Sequence, residues 1–420
     1  MKRKLSLPLL FLIVLFGCIF LAMKNGLAQN VSVTTFDNVH QRFGGTDTRT
    51  VVDTFLLPSS LDGFNQILMH IDVSCPPGGC DPWDRFAMIS LKRDSEWLEI
   101  GRYITPYKKA CGWTCDVTDY SLLLTDTVIL SSFIDTWVDP GWLVKVTFEY
   151  VTGIPAIPLT KVENVWQNYG LVYGDTTQTD TFPVANPVIE NDIDSVKLKV
   201  VLTGHGQGNT DNAAEFSQKT HHVFVNGIST FSQFLWRSDC SSNSCSPQSG
   251  TWTYARAGWC PGSDVIPTYF NLTPYATPGS LMQLDYQLEP YFNECSPNNS
   301  ACVTGVTCSD CNYNYNGHTQ PYYSMSGQLI TYLSSSVGIN EVSSKNNFSI
   351  HPNPAQGEFT ISTSDAVMQR IEIFNQPGQC VFSAIPNSRS QVISVSLKEG
   401  IYFVKVTNEK KQTVQKIIIR

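Results

Sequence analysis

Alternation of apolar and polar residues at a period of two constrains the fold of this chain more than any other feature. It is clear in WLVKVTFEYV from Trp142, in SVKLKVVL from Ser195 and in LMQLDYQLEP from Leu281. Successive side chains of a β-strand point to opposite faces, so each stretch predicts a strand with one buried face. After the N-terminal segment no long stretch has a helical period. We therefore expect an all-β chain with turn-rich connections, packed into sandwiches.

The first 28 residues predict export. A basic start, MKRKLS, precedes an apolar stretch from Leu7 to Met23, and GLA before Gln29 offers small residues for cleavage after about Ala28. The apolar stretch is long for a signal peptide, so an uncleaved membrane anchor is an alternative. Cys18 follows LFG, a weak lipobox, which makes lipidation a second alternative.

Charge excludes some partners and favours others. The formal net charge is −8, and it becomes −12 once the four basic residues of the signal segment are removed. A chain this acidic has no general electrostatic reason to bind nucleic acid or an anionic membrane. Charged residues make up only 15% and aromatic residues 11% of the chain. A surface of neutral polar and aromatic side chains suits neutral polar ligands such as sugars.

Twelve cysteines follow the signal segment. In an exported protein they indicate disulfides. The short spacings and the sequence context give these candidates: Cys75 with Cys80, Cys111 with Cys115, and Cys240 with Cys260. The pairing of Cys245, Cys295, Cys302, Cys308 and Cys311 stays open, and the last two form a CxxC that a zinc site could also use.

Four stretches carry side chains suited to chemistry. CPPGGCDPWDRFA at 75–87 holds Asp84, a possible general base, between Trp83 and Arg85. The other three contribute Asp135 and Trp137 in FIDTW, Glu215 in GHGQGNTDNAAEF, and Arg256 and Trp259 in YARAGWCPG. An acid beside an aromatic face is common in sugar sites. Each stretch alone also fits an ordinary ion pair, solvated acid or core tryptophan.

Taken together, these stretches resemble the peptide-N-glycosidase F family. The resemblance is carried, in order, by TFDNVHQRFG, CDPWDRFA, EWLEIGRYITPY, DVTDY, DTW, AAEF and RAGWCPG, which span about residues 35–330. It implies two eight-stranded antiparallel jelly-roll sandwiches side by side, with the active site in the cleft between them. The implied reaction is hydrolysis of the amide that joins asparagine to the first N-acetylglucosamine of an N-glycan, without metal or cofactor.

The resemblance also implies roles for individual residues. Asp84 matches the main catalytic acid and Glu215 a second essential carboxylate. Arg85 and Arg256 match arginines that bind the sugar or polarise the amide. The aromatic residues that match those of the sugar pocket are Trp83, Trp137 and Trp259.

Three departures from the family pattern bear on the site. Asp135 stands where the family has Glu, one methylene longer, and we include it among the catalytic residues. The cysteines that flank the second carboxylate in the family are missing around Glu215. The segments around Cys111–Cys115 and Cys295–Cys311 are additions that could reshape the rim of the site.

The C-terminal block resembles the sorting domains of type IX secretion. HPNPAQGEFTI, IEIFNQPGQ and GIYFVKV with a basic last strand carry that resemblance. It implies a small immunoglobulin-like β-sandwich, the secretion machinery as a partner, and a secreted or cell-surface protein of a Gram-negative bacterium. The expected domains are a signal peptide, two N-glycanase jelly rolls, a linker and the sorting domain, at 1–28, 29–156, 157–333, 334–346 and 347–420.

Two other functions are alternatives to the amidase hypothesis. A non-catalytic N-glycan-binding protein, expected like the enzyme to be a monomer, would fit the changes at Asp135 and around Glu215. A copper-dependent monooxygenase-like protein would need histidine clusters in both sandwiches. His221 and His222 are adjacent on a predicted strand and so would point to opposite faces, which disfavours a shared metal.

Overall fold

The computed structural model describes residues 29–315, 317–333, 348–363, 367–376, 378–408 and 412–420. The expected signal peptide and the linker at 334–346 lie outside this part of the chain. Chain contacts divide the protein into two compact units, Met1–Ser335 and Ser336–Arg420. No helix in the described ranges is long and apolar enough to cross a membrane.

Strands make up nearly all of the regular structure. They are β1 Val31–Thr34, β2 Val39–Gln41, β3 Thr50–Leu56, β4 Phe64–Ser74, β5 Phe86–Arg93, β6 Glu96–Ile104, β7 Cys111–Asp116, β8 Thr127–Ile134, β9 Trp142–Thr152, β10 Thr160–Val172, β11 Ile193–His205, β12 Lys219–Val225, β13 Ile228–Leu235, β14 Ser263–Asp264, β15 Thr268–Asn271, β16 Leu284–Gln287, β17 Tyr322–Leu333, β18 Phe348–His351, β19 Glu358–Thr363, β20 Arg370–Phe374, β21 Cys380–Ala384, β22 Ser390–Ser394, β23 Gly400–Thr407 and β24 Gln412–Ile419. Among the described residues the helices are short 3₁₀ turns at Thr118–Leu123, Thr210–Asn212, Cys240–Ser242 and Thr273–Tyr275. The all-β expectation is confirmed.

The first unit contains two antiparallel sandwiches. The first pairs the sheet β1-β9-β4-β7, which also carries β2, with the sheet β14-β6-β5-β8-β3. The second is built from β10-β17-β11-β15 and β13-β12-β16. The described strands number five and five in one sandwich and four and three in the other, rather than eight in each. One reason is that β14, which follows β13 in the chain, pairs with β6 of the first sandwich.

The predicted alternation matches the observed burial on most strands. Val144, Val146 and Phe148 of β9 are fully buried in the first core, and Leu284 and Tyr286 of β16 are buried in the second. The chain passes from one sandwich to the other between β9 and β10, through a Pro-rich joint, GIPAIP at 153–158.

One strand departs from the simple alternation. Val196, Leu198 and Val200 of β11 are buried as expected, but Lys199, predicted to face solvent, is only 3% exposed. Its ammonium lies 3.9 Å from Asp119 of the first sandwich. The second face of β11 therefore packs against the neighbouring sandwich, and both faces of the strand are buried.

A buried ion pair helps to join the two sandwiches. Glu99 and Arg102 of β6 are both inaccessible to solvent and bonded to each other at 2.8 Å. The Arg102 guanidinium also donates to the hydroxyl of Thr203 on β11 and to the carbonyl of Ser324 on β17. Because these donors are satisfied across the boundary, β6, β11 and β17 are held at a fixed spacing.

The second unit is a smaller sandwich. Its sheets have the orders β18-β19-β22 and β21-β20-β23-β24, and they enclose a separate core. β20 and β21, which follow each other in the chain, pair antiparallel.

Candidate active site

A disulfide and a buried aspartate fix the loop that carries Asp84. Cys75 is bonded to Cys80, and the next residue, Asp81, is fully buried. The Asp81 carboxylate accepts hydrogen bonds from the backbone N–H of Trp83, from Nε of Arg85 and from the hydroxyl of Thr136 at 3.0, 2.7 and 2.6 Å. It therefore holds the residues on both sides of Asp84. Asp81 was missed by sequence reasoning, although it lies within the motif.

Asp84 lies in a largely enclosed polar setting. Its side chain is 17% exposed, and its Oδ2 accepts a hydrogen bond of 2.7 Å from the hydroxyl of Tyr107. A nitrogen of Arg256 is 3.7 Å from the same oxygen. Burial raises the pKa of Asp84, while Arg256 and Tyr107 oppose that rise.

Glu215 reaches the same place from the second sandwich. Its backbone N–H donates to the carbonyl of Gly206, and its carbonyl accepts from Ala257. Its Oε1 lies 2.9 Å from Nε of Arg256. Burial raises the pKa of Glu215 to about 7; Arg256 opposes this shift and the nearby Asp84 carboxylate adds to it.

Arg256 connects the two carboxylates. The residue is 1% exposed, and besides Glu215 it donates to the carbonyl of Tyr254 and the hydroxyl of Thr251. The Thr251 hydroxyl lies 3.1 Å from that of Tyr107, the partner of Asp84. A planar guanidinium fixed on several sides sets the orientation of the acids around it. Its contacts are those of a group that positions the carboxylates, rather than one exposed for sugar binding.

The loop that carries Glu215 is held by a neighbouring disulfide-closed segment. Gln207 and Thr319 exchange backbone and side-chain hydrogen bonds of 3.0 Å, and the hydroxyl of Tyr291 donates to the carbonyl of Thr210. Between Tyr291 and Thr319 the chain is closed by the disulfides Cys295–Cys308 and Cys302–Cys311. This segment supports a loop that lacks flanking cysteines of its own.

The three tryptophans take different positions. Trp83 and Trp137 are 57% and 53% exposed, and the Arg49 guanidinium lies over the Trp137 ring, 4.2 Å from its centroid. Trp259 is 3% exposed, and its indole N–H donates to the carbonyl of Gly204. Trp259 therefore contributes to the base of the site.

A cavity of about 180 Å³ brings together four of the eight predicted residues, whereas Glu215, Arg256, Trp83 and Trp137 do not line it. It is lined by Asp84, Arg85, Phe86, Ile104, Asp135, His205, Trp259 and Tyr322. Asp135 is 43% exposed on its side chain and lies 3.8 Å from Arg49. Burial raises the pKa of Asp135, opposed by Arg49 and Arg85.

His205 and Tyr322 were not expected at the site. The His205 ring lies between the rings of Trp259 and Tyr322, with centroids 5.3 and 5.0 Å away. Burial, with Arg102 and Arg256 nearby, lowers the pKa of His205 to about 3. The ring is therefore neutral at physiological pH. Its position in the glycine-rich loop motif was the only sequence signal for it.

The disulfides correct one prediction. Cys75–Cys80 and Cys240–Cys260 pair within their predicted stretches, but Cys111 is bonded to Cys245 and Cys115 is a free thiol. Cys111 and Cys115 both lie on β7, where four residues span about 13 Å. That separation is too long for a disulfide, which needs Cα atoms less than about 7 Å apart. Cys302, Cys308, Cys311 and Cys295 all form disulfides, so none is available as a zinc ligand.

The histidines of β12 lie as their spacing predicts. His221 is fully buried and its Nδ1 accepts from the backbone N–H of Glu289, whereas His222 is exposed on the other face. Within the described ranges no group of three or more His, Cys, Asp or Glu side chains is placed to hold a metal ion.

Comparison with known proteins places this geometry in a family. Residues 172–308 match the family model described as Peptide-N-glycosidase F, C terminal, and residues 349–420 match that of a secretion system C-terminal sorting domain. A curated relative from Elizabethkingia miricola, peptide-N(4)-(N-acetyl-beta-D-glucosaminyl)asparagine amidase F, is 32% identical over 289 residues, 64% of this chain and 80% of the relative.

Solved structures agree with that relationship. The PNGase F of Flavobacterium meningosepticum, described as a glycosylasparaginase, is 28% identical with a TM-score of 0.62, over 73% of this chain and 96% of that one. A recombinant N-glycanase F gives a TM-score of 0.61 at the same identity, over 72% and 96% of the two chains. PNGF-II, at 14% identity and a TM-score of 0.55 over 72% of this chain and 65% of that one, shares the fold. This chain belongs to the peptide-N-glycosidase F family.

Proposed function

We propose that this chain hydrolyses the side-chain amide between asparagine and the first N-acetylglucosamine of an N-glycan. The oxygen of water attacks the amide carbon, the carbon–nitrogen bond breaks, and the proton from water goes to the departing nitrogen. Asparagine becomes aspartate, and the glycan leaves as a glycosylamine. Membership of the family and the activity named for the amidase relative support this reaction.

One observation carries the proposal: two largely enclosed carboxylates from different sandwiches, Asp84 and Glu215, share the guanidinium of Arg256 beside a small cavity that Asp84 lines. An amide is a poor electrophile, so hydrolysis needs a positioned base and fixed charge near the developing oxyanion. The site supplies both kinds of group, since a nitrogen of Arg256 lies 2.9 Å from Glu215 and another lies 3.7 Å from Asp84.

Each side chain has a role that fits its surroundings. Asp84, held by Tyr107, orients and activates the attacking water. Glu215, with a pKa of about 7, exchanges a proton near neutral pH and suits proton transfer between water and the departing nitrogen. Arg85 gives two donors to Asp81 and, with five in all, keeps others for a substrate oxygen.

The family relationship and the sorting domain also indicate the substrate and the location of the enzyme. The family relationship implies glycoprotein or glycopeptide substrates, and the exposed rings of Trp83 and Trp137 suit stacking against sugar C–H faces. The sorting domain points to export and to a secreted or cell-surface enzyme. We further propose that residues 1–28 direct the first step of export and that the sorting domain directs passage across the outer membrane.

The experiment incubates the purified full chain with a denatured N-glycoprotein. Released glycan is quantified, and the modified peptide is sequenced by mass spectrometry. We expect glycan release together with conversion of the glycosylated asparagine to aspartate. Binding of glycopeptide without release would instead identify a non-catalytic glycan-binding protein, and release with asparagine intact would indicate a different bond cleavage.

A further inference from the structure

A second, larger concavity adjoins the cavity. This groove of about 810 Å³ shares Phe86, Asp135 and Tyr322 with the catalytic cavity, so a ligand that leaves the cavity on this side enters the groove directly. Its volume lies within the range of about 300–1,000 Å³ that is usual for ligand sites. Hydrolysis of the amide itself needs none of this space.

The floor of the groove is the outer face of a fully paired sheet. Met88 and Ser90 of β5 lie directly opposite Phe133 and Ser131 of β8. β5 pairs with β6 and β8 on its two sides, and β8 pairs with β5 and β3, so the floor offers side chains and no free backbone edge. A polypeptide that binds by strand addition needs such an edge. The floor is therefore unsuited to that mode of peptide binding.

The opposite wall comes from the second sandwich. Asn164, Gln167 and Tyr169 of β10 line it together with Ser324 of β17. Asn164 donates to the carbonyl of Trp97 at 3.1 Å, and Gln167 donates to the hydroxyl of Tyr169 at 3.0 Å. These bonds fix the amide groups of the wall before any ligand arrives.

The chemistry of the lining matches an uncharged carbohydrate. Aromatic rings alternate with hydroxyl and amide groups, as required by a ligand with an apolar C–H face and many hydroxyls. The lining contains two carboxylates, Glu96 and Asp135, and an arginine from outside the lining lies beside each of them, Arg93 at 3.2 Å from Glu96 and Arg49 at 3.8 Å from Asp135. Because these charges are balanced locally, the groove offers no excess charge for an ionic ligand, whereas neutral hexoses would find hydrogen-bond donors and acceptors.

We propose that this groove binds the neutral hexose part of the N-glycan, beyond the two N-acetylglucosamines that lie at the catalytic cavity. Along β5 the step from Phe86 to Ser90 covers about 13 Å, enough for more than one sugar ring. The inference rests on the proposed function and adds its substrate class: glycans with an extended, uncharged hexose arm are preferred over the bare chitobiose.

The test uses two glycopeptides with the same peptide, one carrying chitobiose and the other an uncharged oligomannose glycan. Ser131→Trp fills the groove floor from a strand position outside the catalytic cavity. Ser232→Trp is the matched control, because Ser232 is an exposed strand residue that lines neither site. Binding of the free oligomannose glycan is measured separately by titration calorimetry, so the groove is tested even without turnover.

We expect wild type and Ser232→Trp to favour the oligomannose substrate. Ser131→Trp should lower kcat/KM for that substrate about tenfold, leave the chitobiose substrate within about twofold, and weaken binding of the free glycan. Equal loss on both substrates, unchanged glycan binding, or sensitivity to peptide length instead of glycan length would overturn the proposal. If neither glycopeptide is hydrolysed but Ser131→Trp still weakens glycan binding, the groove stands and the amidase function fails.

Discussion

The guanidinium of Arg256 donates a hydrogen bond of 2.9 Å to the carboxylate of Glu215, and the arginine is 1% exposed to solvent. The two side chains come from separate loops of the second sandwich. A buried charge is tolerated only when it is paired and hydrogen-bonded, so each residue fixes the place of the other. The pKa of Glu215 therefore depends on the folded arrangement of the site.

The Glu215→Gln variant tests this coupling through the pH dependence of the free energy of unfolding. The pKa of Glu215 is raised from 4.5 to about 7 by burial, so the folded protein retains a proton that the unfolded chain has lost between these values. The stabilising contribution is fully present below about pH 4.5 and is lost as pH rises through about 7. Glutamine has no such dependence. The free energy of unfolding of the variant, minus that of wild type, should therefore increase between pH 5 and pH 8.

Urea unfolding at several pH values measures this difference. Removing the carboxylate partner of Arg256 also changes the free energy of unfolding by an amount that does not depend on the pKa of Glu215. Only the change of the difference with pH therefore reports on that pKa. A difference that stays constant from pH 5 to pH 8 would show that Glu215 titrates normally.

Asp84→Asn should lower kcat for glycan release by about 10²–10⁴-fold, because the amide cannot accept a proton from water. The substitution keeps the size of the side chain. Asp192→Asn is the matched control, since Asp192 is exposed and lies outside the cavity. Initial rates on a glycopeptide give the comparison, and activity of Asp84→Asn near that of wild type would exclude Asp84 as the base.

Tyr107→Phe should move the acid limb of the pH–rate profile. The Tyr107 hydroxyl donates to Asp84 and lowers its pKa against the effect of burial. Without this bond the pKa of Asp84 rises further, so the acid limb of kcat/KM should shift to higher pH by about half to one unit. Tyr254→Phe, at a residue 59% exposed, should leave the profile in place. A uniform fall at every pH would indicate a structural role instead.

Asp135→Glu should increase kcat/KM on the oligomannose glycopeptide by about five- to tenfold. The Asp135 carboxylate is partly exposed at the edge shared by the cavity and the groove, and one more methylene extends its reach toward a sugar hydroxyl. Recovery of one hydrogen bond to a charged group accounts for a change of this size. Asp135→Asn, which keeps the length and removes the charge, should lower the same constant. No gain in the glutamate variant would show that the shorter side chain already makes the contact.

Individual strands could be predicted well from the sequence. Alternation located β9, β11 and β16 because burial of one sheet face leaves a period of two in the chain. The same pattern wrongly predicted that Lys199 faces solvent. Its burial results from contact between the two sandwiches, which local periodicity cannot reveal. Asp84, Asp135 and Trp259 line one cavity, and each was predicted because it belongs to a recognisable motif.

The remainder depends on contacts between distant segments. The pairing of Cys111 with Cys245 spans 134 residues and cannot be read from spacing. Tyr107 and Thr251 become partners of the charged groups only when the sandwiches pack together. The groove is assembled from strands of both sandwiches and from the β5–β6 turn, and no single stretch of sequence describes it.

The disulfide between Cys111 and Cys245 also has a consequence for damage. It joins β7 of the first sandwich to a loop of the second, while the Pro-rich joint between the sandwiches exposes Ile154 almost completely. Exposed joints of this kind are preferred sites of proteolytic cleavage. A protease that cuts the joint would produce two fragments that remain covalently attached across the cleft. The nicked protein would migrate as one species until a reductant is added, because the Cys111–Cys245 bond holds both fragments together.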